Sequence, residues 1–295
     1  MGSEMCIRDS FIHAYENGIT PNPCIDCNRY LKFDKLYMRA KELDRDYVVT
    51  GHYARVEKDG NGRFLLKKAL DDTKDQSYVL YCLTQEQLSH TIFPLGDMRK
   101  SQAREIAESQ GFINARKADS QDICFVQNGS YADFIEQFTG KNYPDGDFLD
   151  TNGNVIGRHK GVIRYTVGQR KGLGISAPEP LYVKAVNPVS NTVTLSYNDG
   201  LYSSIVKAGD INLISVPEIK GEMRVKAKVR YRHTEQWATV TQNSDTITAV
   251  FDEPQRAVTC GQALVLYDED TVVGGGTIIA VSYTHLRAHE TLRHL

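Results

Sequence analysis

An α/β domain followed by a small central domain and a C-terminal β-barrel is the architecture predicted by three features of the sequence. Helical periodicity gives way to an apolar strand in the first third; a glycine-punctuated basic stretch fills the middle; short alternating strands separated by turn residues fill the rest. At 295 residues and 41% hydrophobic, the chain is long enough for two or three cores, since domains commonly run to about 100–150 residues.

Residues 1–10 (MGSEMCIRDS) show no hydrophobic period and are read as a non-native flank, as is the His/Arg-rich run 282–295. Pro21 and Pro23 fix φ and bias their predecessors away from helix, so Cys24 and Cys27 are expected on a rigid exposed turn before a helix. Phe33, Leu36, Met38, Ala40 and Leu43 then recur at roughly helical spacing, ahead of an apolar strand, Tyr47 to Thr50. Ligands of open α/β sheets lie beyond the strands' carboxyl ends, and glycine there admits close approach, which makes Gly51 and His52 site candidates.

A polar loop, Lys74-Asp75-Gln76-Ser77-Tyr78, precedes the apolar run Val79 to Leu83, in which Cys82 reads as packing. A helix from about Lys100 to Gln110, closed by Gly111, leads to Asp119-Ser120-Gln121-Asp122-Ile123-Cys124-Phe125. Beyond residue 130 the glycines and basic residues of 140–174 suit hairpins and loops. Strands are expected at 181–186, 192–195, 223–231, 238–241, 246–251, 263–267 and 272–281, which suits a small barrel. The predicted domains are 11–129, 130–204 and 205–281.

The formal charge of −2 does not by itself indicate a nucleic-acid binder, so such a role must rest on local patches. Two are present. Arg224, Lys226, Lys228, Arg230 and Arg232 alternate with apolar residues, so a strand would place five cations on one outward face. A phosphate backbone would favour that stripe, although an edge strand protected by Lys and Arg would look the same. Arg158, Lys160, Arg164, Arg170 and Lys171 form the second cluster and favour the nucleic-acid reading.

Six cysteines are too few and scattered for a disulfide scaffold, and close spacing in a reducing compartment points to metal or redox chemistry. Cys24 and Cys27 supply two ligands of a zinc knuckle, but no second close Cys/His pair follows at finger spacing. The chain has no run of 18 apolar residues and no secretory leader, so no membrane association is expected and the cytoplasm is the expected compartment.

The segments Thr20-Pro21-Asn22-Pro23 with Cys27-Asn28-Arg29 and Lys32-Phe33, Thr50-Gly51-His52-Tyr53-Ala54-Arg55, Lys74-Asp75-Gln76-Ser77-Tyr78, Asp122-Ile123-Cys124-Phe125 and Tyr165-Thr166-Val167-Gly168-Gln169-Arg170-Lys171-Gly172-Leu173-Gly174 closely resemble the tRNA-specific 2-thiouridylases, in order, over roughly residues 11 to 281. The resemblance implies an adenine-nucleotide α-hydrolase-like (PP-loop) first domain. It also implies use of ATP and Mg2+ to adenylate C2 of wobble uridine 34 in tRNA, and transfer of a persulfide sulfur to that carbon. By motif match, Cys124 would carry a persulfide delivered by a sulfur-relay protein, and Cys27 would attack it, forming a Cys27–Cys124 disulfide or releasing sulfur. Thiolates do such work, so Arg29, Lys32 or a helix start is expected to lower a thiol pKa. Gly51 matches a nucleotide-binding position, and His52, Lys74, Asp75, Gln76, Tyr231, Arg232 and Gln262 match tRNA contacts. Cys260 reads as structural.

Two departures from the family pattern carry expectations of their own. The Ser-Gly-Gly-x-Asp-Ser phosphate loop is absent, the nearest glycine run being Gly274-Gly275-Gly276 in the wrong domain. The chain therefore reads as N-terminally truncated, with little thiolation activity, or as a noncatalytic RNA-binding remnant. Cys24 stands where many relatives carry an aspartate, so Cys24, Cys27 and Cys124 would together offer three thiolates to a [4Fe-4S] cluster.

Overall fold

The computed structural model of the chain describes residues 2–117, 123–126 and 129–282, with side chains from residue 7 onward. Its first helix, α1 (Gly2–Glu16), runs through the stretch read as a flank, and Ile7, Phe11, Ile12 and Tyr15 are buried along it. The period escapes a ten-residue window because its strongest members, Phe11 and Tyr15, lie beyond it. Phe11, Ile12 and Tyr15 pack into the core of the central domain.

The chain then turns through Thr20 to Asn22 into α2 (Pro23–Asp26), a π-helical stretch over Cys27–Lys35, and α3 (Leu36–Glu42), which run on without a break. The wider π repeat shifts the phase of the buried face. Phe33 and Tyr37 are therefore buried, whereas Leu36, Met38 and Leu43, expected on the core side, are about half exposed. Strands β1 (Val48–Val49), β2 (Ala54–Lys58) and β3 (Phe64–Lys68) follow, then α4 (Ser77–Leu80), α5 (Gln85–Ser89), β4 (Thr91–Ile92) and α6 (Lys100–Ser109). Strands β1 and β4 are parallel, with Val48 opposite Thr91, so Gly51 lies past a strand's carboxyl end as expected. The expected polar loop at 74–78 runs into α4 at Ser77, whose N–H (3.2 Å) and Oγ (2.7 Å) donate to the Asp75 carboxylate in a local turn.

The central domain comprises α7 (Tyr131–Thr139), opened by a reciprocal Ser130 and Asp133 cap, and strands β5 (Gly146–Leu149), β6 (Val155–His159), β7 (Tyr182–Asn187) and β8 (Thr192–Ser196) in the order β6-β5-β8-β7. Phe148, Ile163, Val183 and Val193 fill its core under the apolar face of α1.

The last domain holds β9 (Tyr202–Leu213), β10 (Glu222–Lys228), β11 (Gln236–Asn243), β12 (Thr246–Arg256), β13 (Ala263–Asp268) and β14 (Thr271–Ser282). Their order, β13-β10-β11-β12-β9-β14, closes through the β13–β14 pairing into a six-stranded barrel. Closure leaves no open edge between these strands. Hairpin β2–β3 joins the outside of β14 at Thr271 opposite Lys67, which ties the first domain to the barrel. Gly275 permits that union on the other flank: a Cβ there would lie 2.4 Å from Leu264 O and 2.8 Å from the Tyr81 ring. The glycine run that sequence alone could assign only to the wrong domain is thus a packing device.

The cationic stripe is corrected. Val225, Ala227 and Val229 do face the barrel core, but the strand ends at Lys228. Arg224 forks onto Asp252 and stacks 5.1 Å from the Trp237 ring, where Lys226 also lies at 5.4 Å. Arg230 turns inward and donates to Val167 O (3.0 Å), Ala257 O (2.6 Å) and Thr259 Oγ1. Three members of the second cluster are likewise paired: Arg158 with Asp147, Lys160 with Asp145, and Arg164 with Asp133 and Glu136. Alternation and composition locate cations but not the carboxylates that distant segments bring to them.

Candidate active site

Pro23 occupies the first turn of α2, where its missing N–H costs nothing, and Asn22 Oδ1 caps the turn by accepting from Cys24 N at 3.2 Å. The preceding turn is clamped by the barrel. Thr20 N donates to Cys260 O (3.1 Å), and Gln262 Nε2 donates to Thr20 O (2.9 Å) and Pro21 O (3.2 Å). Gly261, at φ +89°, makes the approach possible, since a Cβ would meet Ile19 Cγ2 at 2.3 Å and Thr20 O at 2.9 Å. Gln262, matched from sequence to an RNA contact, thus has its amide committed to holding the cysteine turn.

Cys124 lies on an exposed turn closed by Val126 N donating to Ile123 O at 2.9 Å. Phe125 anchors that turn, edge-on to Phe11 of α1 and 5.3 Å from Phe134 of α7. Residues 118–122 of the preceding motif lie outside the described residues. Cys27 and Cys124 both come within electrostatic range of Cys24. Cys24 is exposed at the residue level, yet the desolvation of its sulfur pushes the thiol up, the sulfurs of Cys124 and Cys27 add to the rise, and the Lys32 ammonium opposes it. Cys82, at 3% exposure, is pushed up to about 12 by burial, which makes it an inert core residue as expected; Cys260 is also raised by burial.

The cation that serves this cluster is Lys32. Of the other sequence candidates, Arg29 instead pairs with Asp210 of β9, so its charge goes to docking the helix on the barrel. Lys32 Nζ stands 3.3 Å from His52 Nε2, and His52 Nδ1 stands 2.8 Å from Thr50 Oγ1. Burial pulls the His52 imidazole down to about 4, with Lys32 adding to the drop, so the ring is neutral at pH 7. A neutral ring facing an ammonium must offer Nε2 as acceptor, which places the proton on Nδ1 and makes it the donor to Thr50. His52 is 7% exposed, flanked by Phe33 and Phe93 at 5.8 Å. It orients Lys32 and offers almost no surface to RNA.

The remaining predicted contacts surround this cluster. Tyr231 is 39% exposed; its hydroxyl donates to Asp75 O at 3.1 Å, and its own titration is pushed up by burial and by nearby Asp75 and Cys24. Arg232 is exposed beside it. The Asp75 carboxylate also accepts from Ala69 N at 3.0 Å, and Gln76 Oε1 accepts from Tyr53 N at 3.0 Å. These two side chains shape the loop from within, while Lys74 lines a cavity on its far side. At Gly51 a Cβ would meet Leu95 Cδ1 at 3.7 Å, an ordinary contact, so packing does not demand glycine there.

Among the described residues no three or more His, Cys, Asp or Glu side chains are gathered to hold an ion, so nothing in the structure supports the expected three-cysteine cluster. No helix of the described residues is long and apolar enough to cross a membrane.

Family models described as the tRNA methyl transferase HUP domain, PRC-barrel domain and aminomethyltransferase β-barrel domain match residues 4–128, 132–197 and 203–278. The chain is 50% identical over 274 residues to a tRNA-specific 2-thiouridylase of Clostridioides difficile, covering 92% of this chain and 76% of that one. It is 50% identical to one from Thermoanaerobacter, at 92% and 75% coverage, and 47% identical to one from Acetivibrio thermocellus, at 93% and 77%. With three domain models matching in order along nearly its whole length, the chain belongs to the tRNA-specific 2-thiouridylase family.

Proposed function

We propose that the chain converts the wobble uridine of tRNA to 2-thiouridine by persulfide transfer, with Cys124 as persulfide carrier and Cys27 as nucleophile. The observation that carries this reading is that Cys24, three residues before Cys27 in one clamped segment, feels the sulfurs of both Cys27 and Cys124 as well as the Lys32 ammonium, while Cys124 itself lies on an exposed turn. The exposed turn leaves Cys124 open to a sulfur-donor protein. Bound ATP and Mg2+ would supply the adenylate that turns the uridine C2 oxygen into a leaving group, with Gly51 at the end of β1 as this chain's contribution to the nucleotide site.

The terminal sulfur of the Cys124 persulfide attacks C2; the C–S bond forms as the C2–O bond breaks and AMP departs. The Cys27 thiolate then attacks Cys124 Sγ. The bond from Cys124 to the transferred sulfur breaks, leaving 2-thiouridine and a Cys27–Cys124 disulfide, which a cellular thiol reduces. Tyr231 and Arg232 offer the exposed edge against which tRNA is held, and the uridine must leave the anticodon stack to reach the sulfurs. Thiols kept reduced and a tRNA substrate suit the cytoplasm.

The test is nucleoside mass spectrometry of tRNA incubated with ATP, Mg2+, a persulfide donor and the chain extended by a Ser-Gly-Gly-x-Asp-Ser phosphate loop, the loop-less chain itself being expected to form little product. Loss of 2-thiouridine in Cys27→Ser and Cys124→Ser, but not in Cys82→Ala, supports the reading; product formed without Cys124 refutes it.

A further inference from the structure

The helix that carries Cys27 changes register at that residue. Cys27 N still donates to Pro23 O and Cys24 O in the α manner, whereas at the far end of the π-helical stretch Cys27–Lys35 the Leu36 N–H donates to Leu31 O, five residues back. In an α-helix, residues five apart sit roughly 140° round the axis from one another, on different faces; an i→i+5 ladder stacks them one above the other. We propose that this register is a positioning device for sulfur transfer: it sets Lys32 over Cys27, so that a single ammonium faces the nucleophile. This rests on the persulfide reading above and names the cation that serves its second step.

The burial pattern reports the π phase independently. Asn28 and Phe33, again five apart, are both buried, at 2% and 1% exposure, while Tyr30 between them is half exposed. Both are pinned to the domain: Asn28 Nδ2 donates to Val79 O at 3.0 Å, and Phe33 O accepts from Gln87 Nε2 at 2.8 Å. Cys27 and Lys32 are the same step moved back by one residue, and both are half-buried, as a strip at the margin of that core must be. Lys32 is held from outside the helix, its Nζ 3.3 Å from His52 Nε2, and a neutral ring leaves the ammonium its full charge. Its field reaches the thiols, since it opposes the rise at Cys24. Arg29, only two residues past Cys27, goes instead to Asp210. The same stretch leaves Asn28 Oδ1 buried with no hydrogen-bond partner among the described residues, and both that departure and a π turn belong where a segment serves function rather than packing.

The test compares the rates at which Cys27 of the whole chain reacts with iodoacetate, an anion, and with neutral iodoacetamide, the site being read by tandem mass spectrometry. Both reagents meet the same thiolate, so the ratio of their rates reads the charge beside it and not its accessibility or protonation. Lys32→Gln is expected to lower the iodoacetate-to-iodoacetamide ratio about two- to fivefold, the effect of one unit charge a few ångströms away in a water-like medium, and Lys32→Arg keeps it. Tyr30→Lys on the Lys32→Gln background puts an ammonium three residues from Cys27, where an α-helix but not a π-helix would face it to the thiol, and should not restore the ratio. Thermal unfolding checks each variant, and if the double variant fails to fold, Lys32→Gln against Lys32→Arg carries the test. A ratio unchanged in Lys32→Gln, or restored by Tyr30→Lys, overturns the proposal. The reaction contains no tRNA or nucleotide, so the persulfide reading stands or falls separately, on the mass spectrometry of 2-thiouridine.

Discussion

Protonating His52 should unfasten the sulfur site and weaken the fold, and both effects follow from one ring. In the folded chain His52 titrates at about 4 against an ordinary 6.5, because it is buried and faces the Lys32 ammonium. The unfolded chain therefore binds the extra proton first. Stability from this group is fully present above pH 6.5 and is lost as pH falls from about 6.5 to about 4. At about 1.36 kcal/mol per pH unit, that span corresponds to about 3 kcal/mol, of which about 2.5 is gone by pH 4.5. The assay is a histidine NMR titration, assigned with His52→Gln, alongside urea unfolding of both proteins at pH 7.5 and pH 4.5. Carboxylates titrate in both proteins, so the difference between them isolates His52. Wild type should lose about 2–3 kcal/mol more than the variant over that interval. A His52 resonance titrating near 6.5, or equal losses in both proteins, would refute the buried neutral ring and its grip on Lys32.

Other perturbations probe the supports of the site. Gly275→Ala forces a methyl into Leu264 O and the Tyr81 ring, and should cost about 1–3 kcal/mol in denaturant unfolding. Gln262→Ala removes both clamps on the cysteine turn; a loss of about 1–2 kcal/mol is expected, with slower alkylation or exchange at Cys27 measured by mass spectrometry. Arg29→Ala and Asp210→Asn, combined in a double-mutant cycle, should show coupling of only about 0.5–1 kcal/mol, because Asp210 is 62% exposed. Coupling above about 3 kcal/mol would mean that the pair is effectively buried.

The architecture was legible because the last third alternates with period 2 between turn residues, and because Gly51 follows β1 just past its carboxyl end, as the apolar run before it suggested. Strand β9 was not legible: Tyr202 to Leu213 mixes serines, a lysine, a glycine and an aspartate, and earns strand form only by pairing with β12 and β14 on its two sides. The core face of the cysteine helix was misread because a π-helical stretch breaks the 3.6 period. Within the site, the motifs singled out Cys24, Cys27 and Cys124 as candidates, whereas the roles of His52, Gln262 and Arg230 depend on partners far along the chain. His52 answers to Lys32, Gln262 to Thr20 and Pro21, and Arg230 to Val167. Lys32 was visible as one of several cations; only the structure separates it from Arg29, which Asp210 takes.

The central claim, that Cys27 and Cys124 exchange sulfur between themselves and not with Cys24, is tested most directly without tRNA or nucleotide. Cys124 is loaded with a small-molecule persulfide donor, excess donor is removed, and the disulfides that form are mapped by peptide mass spectrometry. The account predicts a Cys27–Cys124 disulfide with release of hydrosulfide, lost in Cys27→Ser and retained in Cys24→Ala. A dominant Cys24–Cys124 or Cys24–Cys27 bond would contradict it.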